Sequence, residues 1–220
     1  MSKVVPTKPL FVMLYGYPGS GKTYFARQLA EHMQAAHLHS DRIRGELFET
    51  PRYDREENAV VDQLIDYMTG EFLNAGLSVI YDGNATRLSQ RRSLRDMARK
   101  YKAEPLLIWF QMDIESAYAR LLKRDRRRAD DKYAPPMDRA AFETAISNMQ
   151  NPQNEDVIVL SGKHIFASQL SAFLRRLREL GLVPPTNDVS NRMIKPELVN
   201  LIPNPAAGRV DLSRRNITIR

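Results

Sequence analysis

An eight-residue segment near the N-terminus constrains this chain more than any other feature of its sequence. Residues 16–23 read Gly-Tyr-Pro-Gly-Ser-Gly-Lys-Thr, a complete G-x-x-x-x-G-K-[ST] pattern. The apolar run Leu10–Tyr15 precedes the segment, and Phe25, Leu29 and Met33 follow it at helical spacing. A buried strand, a glycine-rich loop and an amphipathic helix in this order are typical of a phosphate-binding loop. The competing interpretation, a glycine-rich turn with a chance lysine, leaves the flanking strand and helix unexplained.

Each residue type in this loop contributes to the binding of a nucleotide phosphate or its metal ion. Glycines let successive backbone N–H groups point at phosphate oxygens, and the start of the helix adds positive charge. Lys22 would reach the β- and γ-phosphates, and the Thr23 hydroxyl would bind Mg²⁺. The predicted cofactors are therefore ATP and Mg²⁺. The predicted nucleotide-binding residues are Gly16, Pro18, Gly19, Ser20, Gly21, Lys22 and Thr23.

Short apolar runs alternate with longer segments of helical period along the rest of the chain. This alternation predicts an α/β fold with a five-stranded parallel sheet and helices on both faces. The predicted strands are residues 10–15, 36–39, 77–81, 105–110 and 157–160. We expect this domain to cover residues 1–182. Residues 183–220 contain 5 of the 13 prolines, and we expect them to form a C-terminal appendage that could contact an oligomeric partner.

Composition excludes several classes of protein. Hydrophobic residues make up 43% of the chain, but no run approaches the roughly 18 apolar residues of a membrane-spanning helix. Without cysteine there can be no disulfide, no thiolate nucleophile and no Cys-ligated zinc. The four histidines lack metal-ligand spacing. The N-terminal residues lack the order of a signal peptide, so we expect a cytoplasmic protein.

A carboxylate and an arginine follow the second predicted strand in the sequence His39-Ser-Asp-Arg-Ile-Arg44. The carboxyl ends of parallel strands are where α/β sheets bind ligands, so Asp41 should lie near the phosphate-binding loop. There Asp41 could accept the proton of an attacking hydroxyl, and Arg44, one helical turn later, could hold an anionic group. Alternatively, Ser40 or Asp41 caps a helix and Arg44 pairs with a surface carboxylate.

Asp82 closes the third predicted strand, in Ser-Val-Ile-Tyr-Asp-Gly-Asn. An acid at this point would complete a Mg²⁺ site with Thr23. The alternative is that Asp82 starts a turn with Gly83. Asp113 closes the fourth strand, and we expect it to cap the next helix.

Positive charge is concentrated in one quarter of the chain. The net charge is +7, and residues 85–139 contain 15 Lys or Arg against 8 Asp or Glu. Within this block, positions 91, 92, 95 and 99 are predicted to form a basic helix face, and residues 124–138 an arginine-rich lid. The block could face an anionic partner or be a solvated surface.

The elements combine into a recognisable series. The chain has no guanine-selecting Asn-Lys-x-Asp and is too short for a motor ATPase, so a small kinase is the simplest interpretation. The segments GYPGSGKT, SDRIR, VIYDGNATRLSQRR and RLLKRDRRR, followed by APPMD, resemble P-loop kinases of the polynucleotide 5'-hydroxyl kinase type, a branch close to the nucleoside monophosphate kinases.

That resemblance implies a P-loop kinase fold with the phosphate-loop strand in the centre of the sheet. It implies that Asp41 is the general base and that Arg44 contacts the phosphate of the acceptor. It further implies that Arg124 and Arg128 are lid residues that act with Lys22 in catalysis, and that Asn84 and Arg87 bind the substrate.

The leading hypothesis is an ATP- and Mg²⁺-dependent kinase acting on a hydroxyl, with the 5'-hydroxyl of a nucleic acid as acceptor. A first alternative is a kinase of the same fold that acts on a metabolite, a sugar, an antibiotic or charged tRNA. A second alternative, from another class, is a nucleotide-dependent binding or toxin-like module.

Overall fold

The computed structural model describes residues 3–125, 127 and 131–184. Within them, five strands and seven helices follow one another along the chain. Their bounds are β1 Leu10–Tyr15, α1 Lys22–His32, β2 Ala35–His39, α2 Ser40–Leu47, α3 Arg55–Asn74, β3 Ser78–Asp82, α4 Leu88–Lys100, β4 Glu104–Gln111, α5 Ile114–Leu122, α6 Arg139–Ser147, β5 Ile158–Ser161 and α7 Phe166–Glu179.

The five strands form one parallel sheet in the order β2-β3-β1-β4-β5. β1 pairs with β3 on one side, where Phe11 lies opposite Val79, and with β4 on the other, where Leu10 lies opposite Glu104. The prediction of a five-stranded parallel α/β fold with the phosphate-loop strand in the centre is confirmed. Every residue of β1 is buried, as expected of a strand covered on both faces.

Alternate residues of the sheet pack into two separate cores. One core joins Val12 and Ile108 of the sheet to α1 and α7. The other joins Met13 of the sheet to α3 and α4, through side chains such as Ile65 and Leu94. Because successive strand side chains point to opposite faces, these helices cover both sides of the sheet.

Aspartates begin three of the helices. Asp54, Asp113 and Asp138 each accept a hydrogen bond from a backbone N–H in the first turn of α3, α5 and α6. The expected capping role of Asp113 is therefore confirmed. These caps satisfy N–H groups that have no partner within the helix.

The core ends slightly later than the sequence indicates. Val183, which we placed in the appendage, is 5% exposed and packs with Leu182 in the α1/α7 core. The compact unit is Met1–Pro184. The rest of the appendage lies outside the described residues, and its role in oligomeric contacts stays a prediction. In the described part of the chain, no helix has both the length and the apolar character needed to cross a membrane.

Candidate active site

The phosphate-binding loop joins the end of β1 to the start of α1, as predicted. Its three glycines have positive φ angles of 149°, 86° and 96° at positions 16, 19 and 21. A side chain at Gly19 would place its Cβ 2.2 Å from the carbonyl oxygen of Ala117 in α5, so only glycine fits there. The loop is thus held against the helix that leads into the predicted lid.

Lys22 is the first residue of α1 and turns back over the loop. Its Nζ donates hydrogen bonds to the carbonyl oxygens of Gly16 at 2.7 Å and Tyr17 at 3.0 Å. Loss of solvent lowers the pKa of Lys22 to about 8, although the nearby carboxylates of Asp82 and Asp41 oppose that shift. The ammonium group lies in the field of the predicted metal ligand, Asp82, and of the predicted base, Asp41.

Asp82, at the carboxyl end of β3, is buried beside two histidines of β2. His37 Nε2 lies 3.4 Å and His39 Nε2 lies 3.8 Å from Asp82 Oδ2. Burial would raise the pKa of Asp82, but the hydrogen bond of His37, the two imidazoles and the Thr23 hydroxyl together lower it. Asp82 is therefore an anionic oxygen donor next to the phosphate-binding loop.

The Thr23 hydroxyl contributes to the lowered pKa of the Asp82 carboxyl, and the proximity of the two groups fits the predicted Mg²⁺ site. Mg²⁺ prefers oxygen ligands and in nucleotide sites keeps waters and phosphate oxygens beside one or two protein groups. Among the described residues, no group of three or more His, Asp or Glu could hold a metal ion by protein ligands alone. A two-residue donor set of this kind suits a metal bound together with a nucleotide.

Asp41 lies in the first turn of α2, facing the same cavity. His39 occupies the capping position of α2 and no side chain caps the helix, so the alternative role of Asp41 or Ser40 as the cap is wrong. The Asp41 Oδ2 atom is 3.8 Å from His39 Nε2. Burial raises the pKa of Asp41 against the opposing effect of His39, which makes this carboxylate a better proton acceptor than an exposed aspartate.

Arg44, predicted to contact an acceptor, lies with its guanidinium inside the protein. Its Nη1 donates to Glu57 Oε2 at 3.1 Å and its Nη2 to Asn58 Oδ1 at 2.6 Å. The guanidinium also lies over the ring of Tyr53, 4.8 Å from its centroid. To contact an acceptor, Arg44 would have to leave these partners. The alternative pairing with a surface carboxylate is also wrong, because Glu57 is buried.

Asn84 and Arg87 lie on the loop that follows Asp82, at the same edge of the sheet. Both are exposed. The Asn84 Oδ1 atom accepts from the hydroxyl of Thr86 at 3.0 Å, and Arg87 stands at the N-terminus of α4. Neither residue lines the cavity that contains Lys22 and Asp41, and their role in substrate binding stays a prediction.

The described part of the predicted lid lines one side of a cavity of about 430 Å³. Arg124 lines this cavity, and its Nε is 4.0 Å from Asp131 Oδ1. Arg128 lies outside the described residues. Tyr133 reaches α2, where its hydroxyl donates to the Glu46 carboxylate and its ring lies against Gly45.

The cavity joins residues from distant parts of the chain. It is lined by the phosphate-binding loop, by Asp41, Arg42 and Tyr133, and by Arg120 and Arg124 of the predicted basic segment. It is also lined by His37 and His39, to which the sequence analysis gave no role. The two histidines are separated by one residue on a strand that ends beside the phosphate-binding loop. That period of two was the available signal, because it directs both side chains to one face.

The four arginines predicted to form a basic face on α4 do not form one exposed surface towards the nucleotide cavity. Arg91 is fully buried and, with Arg95, binds Glu155. Arg92 and Arg99 line a separate surface depression and not the nucleotide cavity. The prediction failed at Arg91 because its ionic partner is 64 residues away in the sequence.

Comparisons with known proteins agree with this architecture. Residues 11–152 match the AAA_33 family, described as an AAA domain. A cytidylate kinase from Methanopyrus kandleri is 31% identical over 121 residues, which cover 52% of this chain and 62% of that protein.

Two solved structures show the same fold. One is Kti12 from Chaetomium thermophilum in complex with ADP-AlF3, with a TM-score of 0.59, 18% identity, and coverage of 80% of this chain and 100% of that chain. The other is a chain of the Pnkp1/Rnl/Hen1 RNA repair complex, with a TM-score of 0.55 and 20% identity over 64% of this chain and 44% of that chain.

Proposed function

Because this chain belongs to the AAA_33 family of P-loop proteins, we propose that it is an ATP-dependent kinase that transfers the γ-phosphate to a hydroxyl group. One observation carries the proposal: Lys22 of the phosphate-binding loop and the carboxylate of Asp41 line the same cavity. A phosphate cradle and a proton acceptor in one cavity are the two parts that transfer to a hydroxyl needs. The similarity to a cytidylate kinase supports phosphoryl transfer, and the hydroxyl acceptor rests on Asp41.

In this proposal each residue has one task. The loop N–H groups and Lys22 hold the β- and γ-phosphates, and Thr23 and Asp82 would hold Mg²⁺, which would neutralise developing phosphate charge. Asp41 takes the proton of the acceptor hydroxyl while the oxygen of that hydroxyl bonds to the γ-phosphorus. The bond between that phosphorus and the oxygen bridging it to the β-phosphate breaks, and ADP leaves. Arg124, on the cavity wall, would stabilise charge on the transferred group.

The acceptor that the geometry supports best is a small hydroxyl compound. The nucleic-acid hypothesis depends on a basic face directed at the nucleotide cavity. Instead, Arg91 and Arg95 bind Glu155, and Arg92 and Arg99 lie at a separate depression. A cavity of about 430 Å³ beneath a lid also suits a compact acceptor.

The 5'-hydroxyl of a nucleic acid is the second candidate, because Arg87 and Arg92 remain exposed near the start of α4. The similarity to a chain of an RNA repair complex supports it. The two candidates differ in their response to salt. Contacts from Lys and Arg to several phosphates weaken steeply as salt rises, whereas a small acceptor makes few of them.

Transfer from γ-labelled ATP to a panel of acceptors tests the proposal. The panel contains sugars, nucleosides, nucleoside monophosphates and 5'-hydroxyl oligonucleotides of RNA and DNA. We expect label on a small acceptor, and Asp41→Asn to slow transfer by about 10²- to 10⁴-fold, the usual contribution of a general base. Glu49→Gln, a change on the exposed segment after α2, is the matched control and should leave transfer unchanged.

Three results would revise the proposal. Full transfer by Asp41→Asn would remove Asp41 as the base. Salt-sensitive labelling of an oligonucleotide alone would replace the small acceptor by a nucleic acid. ATP turnover that no acceptor alters would favour the nucleotide-dependent binding module and contradict the kinase.

A further inference from the structure

The guanidinium of Arg91 is fully buried, although most arginines lie at the surface. It lies in the first turns of α4, on the side that packs against the sheet. It also lies over the ring of Tyr15 in β1, with 5.1 Å between the guanidinium carbon and the ring centroid. A charge in this position requires a complete set of partners.

Glu155, on the segment before β5, supplies the opposite charge. Arg91 Nε lies 3.1 Å from both Glu155 carboxylate oxygens, and Nη2 donates to Oε1 at 2.7 Å. The Glu155 side chain is 6% exposed. The pair is thus a buried, two-pronged contact whose geometry fixes the direction of the guanidinium.

The remaining nitrogen of Arg91 acts on the loop between β3 and α4. Its Nη1 donates to the carbonyl oxygens of Ala85 and Thr86, both at 3.1 Å. These two residues lie between Asn84 and Arg87, the predicted substrate contacts. Glu155 holds the arginine, and the arginine holds the loop.

A second tie joins the same loop to the segment before β5. The Gln150 backbone N–H donates to the Thr86 carbonyl at 2.9 Å, and the Gln150 side chain accepts from the Leu88 N–H at 2.8 Å. The carbonyl of Thr86 therefore has two donors, one from Gln150 and one from Arg91. Two independent contacts restrain one short loop.

Stability alone is a weak explanation for this charged arrangement. Apolar residues of similar volume often replace a buried ion pair without loss of stability, whereas removal of one partner is strongly destabilising. What apolar residues could not supply is a donor for the Ala85 and Thr86 carbonyls.

We propose that Arg91, oriented by Glu155, is a positioning residue that holds the loop bearing Asn84 and Arg87 in place for the acceptor. The inference rests on the proposed kinase function. It assigns Arg91 no contact with ATP, because Arg91 does not line the nucleotide cavity. Loss of Arg91 should therefore impair acceptor binding and leave nucleotide binding intact.

The test uses the full chain with Arg91→Met and Glu155→Met combined, which replaces the pair by apolar side chains. We expect the KM for the best acceptor of the panel to rise by about 10- to 100-fold, because small displacements of a binding group have effects of that size. The KM for ATP should stay within about twofold of the wild type, since the phosphate-binding loop is untouched. Arg99→Gln, which loses only an exposed pair with Asp96, is the matched control and should change neither constant.

Hydrogen exchange gives a readout that does not depend on the acceptor. The amide of Leu88 should exchange faster in the double variant, and the amides of residues 16, 17 and 19–23 should not change. If the double variant proves unstable in urea, Arg91→Lys should produce the same pattern, because lysine keeps the charge beside Glu155 but has no planar guanidinium to reach both loop carbonyls. Equal increases in both KM values, or unchanged exchange at Leu88, would overturn the inference.

The two proposals can fail separately. If the wild-type chain transfers phosphate to no acceptor, the kinase proposal fails. Hydrogen exchange then tests whether Arg91 positions the loop. ATP binding is measured beside it, and the affinity for ATP must be equal in the wild type and the double variant.

Discussion

Two aspartates in the candidate site have pKa shifts of opposite sign. Burial raises the pKa of Asp41, whereas the histidines and Thr23 overcome the effect of burial and lower that of Asp82. The difference arises because Asp82 has hydrogen-bond donors directed at it, while the nearest imidazole nitrogen lies 3.8 Å from Asp41. Two carboxylates whose pKa values are shifted in opposite directions suit different tasks. The opposite shifts support Asp82 as a charged metal ligand and Asp41 as the group that accepts a proton.

The Arg91–Glu155 pair leads to a prediction about acid stability. Burial would raise the pKa of Glu155, but its hydrogen bonds with Arg91 and Arg95 lower the pKa below its ordinary value. A carboxylate with a lowered pKa stabilises the folded protein above its unfolded-state pKa, and this stability is lost as the pH falls through the folded-state pKa. Glu155→Gln should therefore be less stable than the wild type at pH 7, and the difference should shrink as the pH falls from about 5 to 3.

Urea unfolding followed by the fluorescence of Trp109, the one tryptophan of the chain, measures this effect. Glu179→Gln is the control, because Glu179 makes only an exposed pair with Arg176. Its stability should run parallel to that of the wild type across the pH range. A constant difference between Glu155→Gln and the wild type down to pH 3 would contradict the prediction.

At the scale of elements, the lid and α2 meet at a glycine. A Cβ added to Gly45 would lie 2.6 Å from Cδ1 of Tyr133, a lid residue that lines the cavity. The same helix carries Asp41, so this contact connects the lid to the helix of the proposed base. The absence of a side chain at position 45 lets the tyrosine ring lie against the helix backbone.

Gly45→Ala should separate stability from activity. Alanine is a better helix former by up to about 1 kcal/mol, so the free energy of unfolding should stay constant or rise. The displaced Tyr133 ring should disturb the cavity and lower kcat/KM for ATP by about tenfold, the effect of roughly 1.4 kcal/mol. Steady-state kinetics and urea unfolding measure the two effects.

A double-mutant cycle supplies the control for this prediction. In a Tyr133→Ala background there is no ring to displace, so Gly45→Ala should have no further effect on kcat/KM. An equal loss of activity in both backgrounds would show that position 45 acts through some other contact.

At the scale of the whole molecule, several of the arginines in the basic segment already contact carboxylates or a backbone carbonyl of the protein. Arg95 binds Glu155, Arg139 binds Glu115 and Glu143, and Arg120 donates to the carbonyl of Gly162. The segment with the largest basic excess is therefore partly a structural network. This is the physical reason why the net charge of +7 is a weaker indication of a nucleic-acid partner than it first suggests.

The compact unit should fold without the C-terminal segment. Thr7 donates its N–H to the Leu182 carbonyl, and Val183 is buried, so a chain ending at residue 184 keeps the described core contacts. We expect residues 1–184 to have the Tm and the transfer rate of the full chain. Calorimetry and the labelled-ATP assay measure both. A lower Tm would mean that the segment contributes to folding, and size-exclusion chromatography of the two chains tests its predicted part in oligomeric contacts.

The sequence alone was sufficient for the parts of this protein that depend on local order. The apolar runs predicted the strands, and Gly16–Thr23 between a strand and a helix predicted the phosphate-binding loop. Asp41 and Asp82 could be placed near that loop because they directly follow strands of a parallel sheet. All of these inferences use residues that are close together in the chain.

Tertiary structure decided which charges are free to act. The sequence predicted that Arg44 would contact the acceptor and that Arg91 would lie on a basic helix face, yet Glu57 and Glu155 hold both inside the protein. His37 and His39 gained a place in the site only when β2 paired with β3 beside Asp82. Partners separated by 13 to 64 residues come together through the packing of whole elements. The periodicity of a single segment cannot predict these contacts, because it depends only on residues that are close together in the chain.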